Sequence, residues 1–320
     1  MAMTEDEAND LLPSAPVGSK PRPQGLVYLL IGPPKWGKTT WMCDIPNALL
    51  LASERGHQFQ TCHKIAIDKW DERAFEIYDD QDDVRHMTMT QITEILEKSS
   101  KFDFIIFDTA DMFVKLCLDY HLKKNGWVHA NDGGDYGKGY EIVQNAPFRQ
   151  LVGRIMATGR GVGFITHSEP KTTTFKASKA TKRETTLPGG IHKLLHTQAD
   201  VILHASFGMK QKGQKARDRV LQTEGDEETL AGNRTKQVNI PPKFIVDSVS
   251  PWGQWSRFFS DPTAAAEADR EYLSSGSRRD RTDPEEEAAP DEAPASNETP
   301  APTPETEAEP QAKPARKIRK

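Results

Sequence analysis

The chain has 320 residues, with 42 Lys and Arg against 47 Asp and Glu, a net charge of −5, and 36% hydrophobic residues. No apolar run approaches the roughly 18 residues that span a bilayer, so a soluble, cytoplasmic protein is expected. Three cysteines, Cys43, Cys62 and Cys117, lack zinc-site or C-x-x-C spacing, which argues against a disulfide scaffold and for reduced, partly buried thiols.

Residues 1–23 are polar and Pro-rich and are expected to be disordered. Leu26–Ile31 is a short apolar run that reads as a buried strand. It leads into Gly32-Pro33-Pro34-Lys35-Trp36-Gly37-Lys38-Thr39, which fits G-x-x-x-x-G-K-[ST]. In that pattern the glycines let backbone N–H groups curl toward phosphate oxygens. Lys38 reaches the β- and γ-phosphates, and the Thr39 hydroxyl takes a place on Mg²⁺. Thr39 and Thr40 open a helix that Pro46 must soon interrupt. Residues 32–40 are therefore the expected nucleotide-binding set, with ATP and Mg²⁺ as ligands.

Further on, Ala48–Ala52 is a second buried strand, placed beside the P-loop strand and followed by Glu54. Hydrolysis needs a group to orient or deprotonate water, and Glu54 is the candidate. Ile65–Ile67 reads as a strand and Ile92–Lys98 as a helix. Phe104–Phe107 is a strand ending in Asp108, a carboxylate placed to hold Mg²⁺ opposite Thr39. Asp111 is expected to cap the helix that follows. Ala146–Thr158 is helical in its apolar spacing. Val162–Thr166 is a strand ending at His167, a candidate phosphate sensor, and another strand begins at Ala199–His204. Strands alternating with helices predict an α/β fold, a mainly parallel sheet flanked by helices. Ligands of such sheets bind at the carboxyl ends of the strands, where the P-loop, Glu54, Asp108 and His167 all fall.

Two stretches are basic. Residues 171–193 hold Lys171, Lys176, Lys179, Lys182, Arg183 and Lys193 against one acid, Glu184, and read as a loop. Residues 209–219 add Lys210, Lys212, Lys215, Arg217 and Arg219. A basic loop beside a phosphate sensor suits sequence-independent binding of single-stranded DNA. The folded part is expected to end at 260. Residues 261–320 are rich in Ala, Glu and Pro, carry a net charge of −6, end in a basic cluster and are expected to be disordered. Residues 1–260 then carry a net charge of +1, so any nucleic-acid affinity must come from local patches.

The series GPPKWGKTT, LLLASERG, FDFIIFDTAD, GDYGKGYE, GVGFITHSEP and QADVILHAS resembles phage-type RecA-core ATPases. These are AAA-domain, ATP-binding proteins that include single-strand annealing recombinases. The resemblance runs from about Gly25 to Pro242. It implies a RecA-like ATPase domain over 24–260, ATP held by Lys38, Thr39 and Asp108, a catalytic Glu54, and His167 as a γ-phosphate switch. It also implies that Arg234 or Lys236 serves the nucleotide of a neighbouring subunit in a homo-oligomer with shared sites. The function it suggests is ATP-driven work on single-stranded DNA in phage recombination or replication, with the C-terminal tail open to a protein partner. Two other readings stand beside it: an ATP-dependent switch or assembly factor that is not an enzyme, and a P-loop phosphotransferase acting on a small molecule. The latter needs an arginine-bearing lid, and 171–193 is mostly lysine.

Overall fold

A computed structural model of the protein describes residues 21–175, 178–208, 217–226, 229–235 and 237–275. Residues 1–20 of the N-terminal segment expected to be disordered, and the acidic tail beyond 275, lie outside these; the segment's last residues do not, and Pro23 O accepts from Tyr28 Oη at 2.7 Å. Among the described residues no helix is long and apolar enough to cross a membrane.

The expected α/β architecture is present. Strands β1 (Val27–Gly32), β2 (Ala48–Ala52), β3 (His63–Lys69), β5 (Arg85–Thr88), β6 (Phe104–Asp108), β7 (Gly161–Phe175) and β9 (Val201–Phe207) pair in parallel. Short antiparallel strands extend the two edges: β4 (Tyr78–Asp79) pairs β5, β10 (Arg219–Gln222) pairs β9, and β12 (Lys243–Ile245) pairs β10. Off this path, β8 (Ser178–Thr185) pairs β7 and β11 (Gly232–Asn233) pairs β9. The spatial order is β12-β10-β9-β1-β7-β6-β2-β3-β5-β4.

Three expectations change here. The strand beside the P-loop strand is not β2, because β7 and β6 stand between β1 and β2. Local sequence carries no record of such crossovers, which β-strand hydrophobicity alone leaves open. Strand β7 does not end at His167 but runs on to Phe175. There it turns back as β8, so the part of the basic stretch up to Thr185 is the arm of a hairpin rather than a loop, and Lys193 lies in the helix Gly189–Gln198. Finally, the fold continues past 260. Helix Ala264–Ser274 buries Ala264, Ala265 and Ala268, a small-residue face that composition alone reads as disordered.

Every residue of β1, β2 and β6 is buried, as expected of strands covered on both faces. On one face Leu29, Ile31, Ile105 and Phe107 pack with Phe113, Phe148 and Leu195 from the helices α2 (Met89–Lys98) to α5 (Gly189–Gln198) of that side. Between these lie α3 (Ala110–Asn125) and α4 (Ala146–Met156). On the other face Tyr28, Leu30 and Leu203 pack with Trp41, Trp252 and Trp255. Trp41 belongs to α1 (Lys38–Cys43), and the other two to α6 (Pro251–Ser260). The Trp41 and Trp252 rings meet edge-on at 5.8 Å, and Trp255 Nε1 donates to Tyr28 Oη at 3.1 Å. This aromatic cluster seats the short P-loop helix on the sheet, which six residues could not do by helix propensity alone.

Candidate nucleotide site

Strand β1 delivers the P-loop to the carboxyl end of the sheet, and two glycines are required by what surrounds it. A Cβ on Gly32 would lie 2.5 Å from Ala205 Cβ. Gly37 sits at φ 99°, and a Cβ there would lie 2.9 Å from Arg219 Nη1. The bulky filling of the loop has a structural purpose. Trp36 is 1% exposed and its Nε1 donates to Ser206 O at 2.6 Å, tying the loop to the end of β9. Lys35 takes a left-handed conformation, at φ 61°, and Pro34, Lys35 and Thr40 face solvent. Helix α1 starts at Lys38 and ends at Cys43, before Pro46, as expected.

Lys38 is buried, and its Nζ donates to Gly32 O and Pro33 O, both at 2.8 Å. Burial pulls its ammonium down to about 8, against the carboxylates of Asp108, Asp111 and Glu54, which favour the charge. A buried cation whose two short hydrogen bonds go to carbonyl oxygens is poised for an anion. Nζ also lies 3.4 Å from His167 Nδ1. His167 pairs with Gly32 across the β1–β7 ladder, which puts the sensor candidate beside the loop. Burial, then the neighbouring Lys38 charge, push the imidazole below its usual range.

Strand β6 brings Asp108 to Thr39, whose hydroxyl donates to Asp108 Oδ2 at 2.8 Å. This carboxylate is only 8% exposed and accepts no other side-chain hydrogen bond among the described residues. Burial, offset in part by Thr39, pushes its carboxyl up to about 6. A buried carboxylate and a hydroxyl in contact make an oxygen donor set that fits a hard divalent cation. Its folded-state pKa lies above the reference of 3.8. The proton is therefore held more tightly in the folded protein, and metal-free stability falls as pH rises from about 4 to about 6. Above that window the cost is fully present. Asp108→Asn is expected to raise metal-free stability at pH 7–8 by about 2 kcal/mol, an upshift of several degrees in melting temperature that fades toward pH 4. Thermal melts in chelator across pH 4–8 check this, and no upshift at pH 7–8 would count against it.

Glu54 follows β2, is exposed, and accepts a hydrogen bond from Thr109 Oγ1 at 2.9 Å. Thr109 follows Asp108 and stands at the N-cap of α3. Glu54 therefore reaches the site from the far side of β6, and its charge acts on Lys38 and His167. Asp111 does not cap α3. It lies in the first turn, where its carboxylate accepts from Thr166 Oγ1 at 3.2 Å, from the His167 backbone N–H at 3.3 Å, and from Thr186 Oγ1. Thr166 also shares a 2.8 Å hydrogen bond with Thr185, the last residue of β8. Sequence reading missed this polar link between His167 and the hairpin base. The Thr166-His167 and Thr185-Thr186 pairs were its only signal.

The remaining candidates lie elsewhere. Arg234 follows β11, which pairs with the start of β9, at the sheet end opposite the P-loop; its Nη2 donates to Thr197 O at 2.6 Å. It takes no part in this chain's own site. Lys236 and Lys176 lie outside the described residues. Lys171, Lys179, Lys182 and Arg183 lie on the hairpin strands, with Lys171 opposite Lys182. Arg219, from the second basic stretch, reaches over Gly37 instead.

A family model described as an AAA domain matches residues 24–235, two thirds of the chain. The protein belongs to that family, whose P-loop architecture is the one described here. No curated protein matches the chain. Among solved structures, the crystal structure of the flagellar accessory protein FlaH from Methanocaldococcus jannaschii aligns with 70% of this chain and 85% of its own. Identity is 9% and the TM-score 0.36, a likeness too slight to build on.

Proposed function

We propose that this AAA-domain protein is a Mg²⁺-dependent ATPase of RecA-like type whose nucleotide state sets the β7–β8 hairpin, through which it binds single-stranded DNA. One observation carries the coupling: Lys38 Nζ at 3.4 Å from His167, and the His167 N–H on Asp111, which also accepts from Thr186 at the hairpin base. A phosphate drawing Lys38 forward changes the charge facing His167. His167 and Asp111 bond to β7 and to Thr186, which directly follows β8, and Thr166 bonds to Thr185 at the end of β8, so the change reaches the base of the arm.

In the hydrolytic step, Lys38 and the loop amides bind and orient the phosphates. Thr39 and Asp108 would hold Mg²⁺, which when bound neutralises charge on the phosphoryl oxygens. Glu54 orients water and takes its proton, the Thr109 hydroxyl fixing the carboxylate for that task. The basic stretch supplies Lys171, Lys176, Lys179, Lys182 and Arg183, a density of positive charge suited to a phosphate backbone without base reading.

Neutralising Lys176, Lys179, Lys182 and Arg183 together is expected to weaken single-stranded DNA binding and flatten its salt dependence. Each lost phosphate contact removes about 0.7 from the slope of log affinity against log salt, so three or four contacts remove about 2–3. ATP affinity should stay within about threefold, since Lys38 and the loop are untouched. Wild-type protein with no salt-sensitive DNA binding, with or without ATP, would leave the nucleotide switch or assembly factor as the better reading.

A further inference from the structure

Cys43 and Cys62 are nineteen positions apart, yet their sulfurs lie 3.1 Å apart. That is about 1 Å beyond a disulfide bond. Both thiols are free and partly exposed, whereas Cys117 is fully buried and packs against the carbonyls of Val143 and Gln144. We propose that Cys43 and Cys62 are a dithiol switch, oxidised by a low-molecular-weight disulfide to an intramolecular bond that ties the P-loop helix to the segment carrying Glu54. The thiol chemistry stands whether or not the site hydrolyses ATP.

The placement gives the bond something to hold. Cys43 is the last residue of α1, and Cys62 immediately precedes β3. Between them the chain runs through β2, Glu54 and the turn Arg55–Phe59. Phe59, Gln60 and Thr61 form one wall of a cavity of about 280 Å³ whose floor is Gly37, Thr40 and Cys43. Phe59 is 87% exposed, so this wall has little packing of its own. Its ties are few: Lys64 Nζ donates to His57 O and Gln60 O, and His57 Nδ1 meets Glu54 O at 2.6 Å. A covalent link at its far end would fix both the wall and the approach to Glu54.

The order of attack follows from the surroundings. The contact with Cys43 and the Lys64 ammonium both favour a thiolate at Cys62, while the same contact and burial push Cys43 up. Cys62 thiolate attacks one sulfur of oxidised glutathione, forming a mixed disulfide and releasing one glutathione thiolate. Cys43, giving up its proton, then attacks the Cys62 sulfur. The protein disulfide forms and the second glutathione leaves. Two protein thiols lose two electrons and two protons, and one glutathione disulfide becomes two glutathione thiols.

The test equilibrates the full chain in glutathione buffers of rising oxidised fraction, followed by acid quench, alkylation and peptide mapping. Expected is a Cys43–Cys62 linked peptide that grows with the oxidised fraction while Cys117 stays alkylatable. Amide hydrogen exchange across 53–62 should slow severalfold in the linked form and recover on reduction. Cys43→Ser should stop at glutathione on Cys62, and Cys62→Ser should leave Cys43 at least tenfold slower to react. Separate glutathionylation of both cysteines in the wild type would overturn the proposal. So would a failure to oxidise in fully oxidised buffer, or a linked form with unchanged exchange across 53–62. The wild-type mapping decides the matter even if either variant fails to fold.

Discussion

Glu54→Gln is expected to lower ATP turnover by about 10²–10⁴-fold while ATP affinity stays within about threefold of wild type. Glutamine keeps the oxygen that accepts from Thr109 Oγ1, so the 2.9 Å contact and the shape of the segment survive. What it loses is the ability to take a proton from water. The expectation rests on where β2 lies. It pairs with β6, residue for residue from Ala48 opposite Phe104 to Ala52 opposite Asp108. Glu54 is thereby set beside Thr109 and close enough for its charge to favour the Lys38 ammonium. Single-turnover phosphate release, with binding measured separately, divides the two quantities. Turnover within a fewfold of wild type would reduce Glu54 to a surface carboxylate steadied by Thr109.

Lys38→Ala is expected to weaken ATP binding by 100-fold or more and leave the fold intact. A charge-assisted hydrogen bond contributes about 1.5–3 kcal/mol, and the ammonium can make two to a triphosphate. In the nucleotide-free protein the same side chain is a burden. Its charge is buried and drawn down to about 8, below the reference of 10.5. The folded state therefore disfavours that charge at every pH below 8, and the penalty is relieved as pH rises toward 10.5. Its two carbonyl contacts with Gly32 and Pro33 offset part of this cost. The melting temperature at neutral pH should consequently not fall by more than the small packing loss of a truncated aliphatic stem. Unchanged nucleotide affinity in a folded Lys38→Ala protein would remove the P-loop from the functional picture.

The parts of this site that could be read from sequence are those fixed within a few residues. Gly37 is demanded by its left-handed backbone, Gly32, Lys38 and Thr39 by spacing, and Asp108 by the apolar strand before it, although what crowds Gly32 is the distant Ala205. Each lies where the spacing places it. The parts that could not be read depend on contacts far apart in the chain. The position of Glu54 came from pairing between β2 and β6, and no feature of 48–54 states which strand is its neighbour. Trp36 read as a bulky loop filling, because its anchor is a carbonyl 170 residues away. Asp111 read as a cap, since an aspartate after a strand is usually local in its bonding. Its partners are instead Thr166, His167 and Thr186. Cys43 and Cys62 showed no spacing signal, because their meeting is made by the turn of the chain through β2.

The most direct measurement of the central reading is Mg²⁺-dependent phosphate release from ATP by the full-length chain, run beside Glu54→Gln and Lys38→Ala. Expected is turnover in the wild type that chelator abolishes. Glu54→Gln should bind ATP but release little phosphate, and Lys38→Ala should do neither. ATP bound tightly by the wild type, with no phosphate released above the Glu54→Gln level whether or not single-stranded DNA is present, would contradict an ATPase at this site.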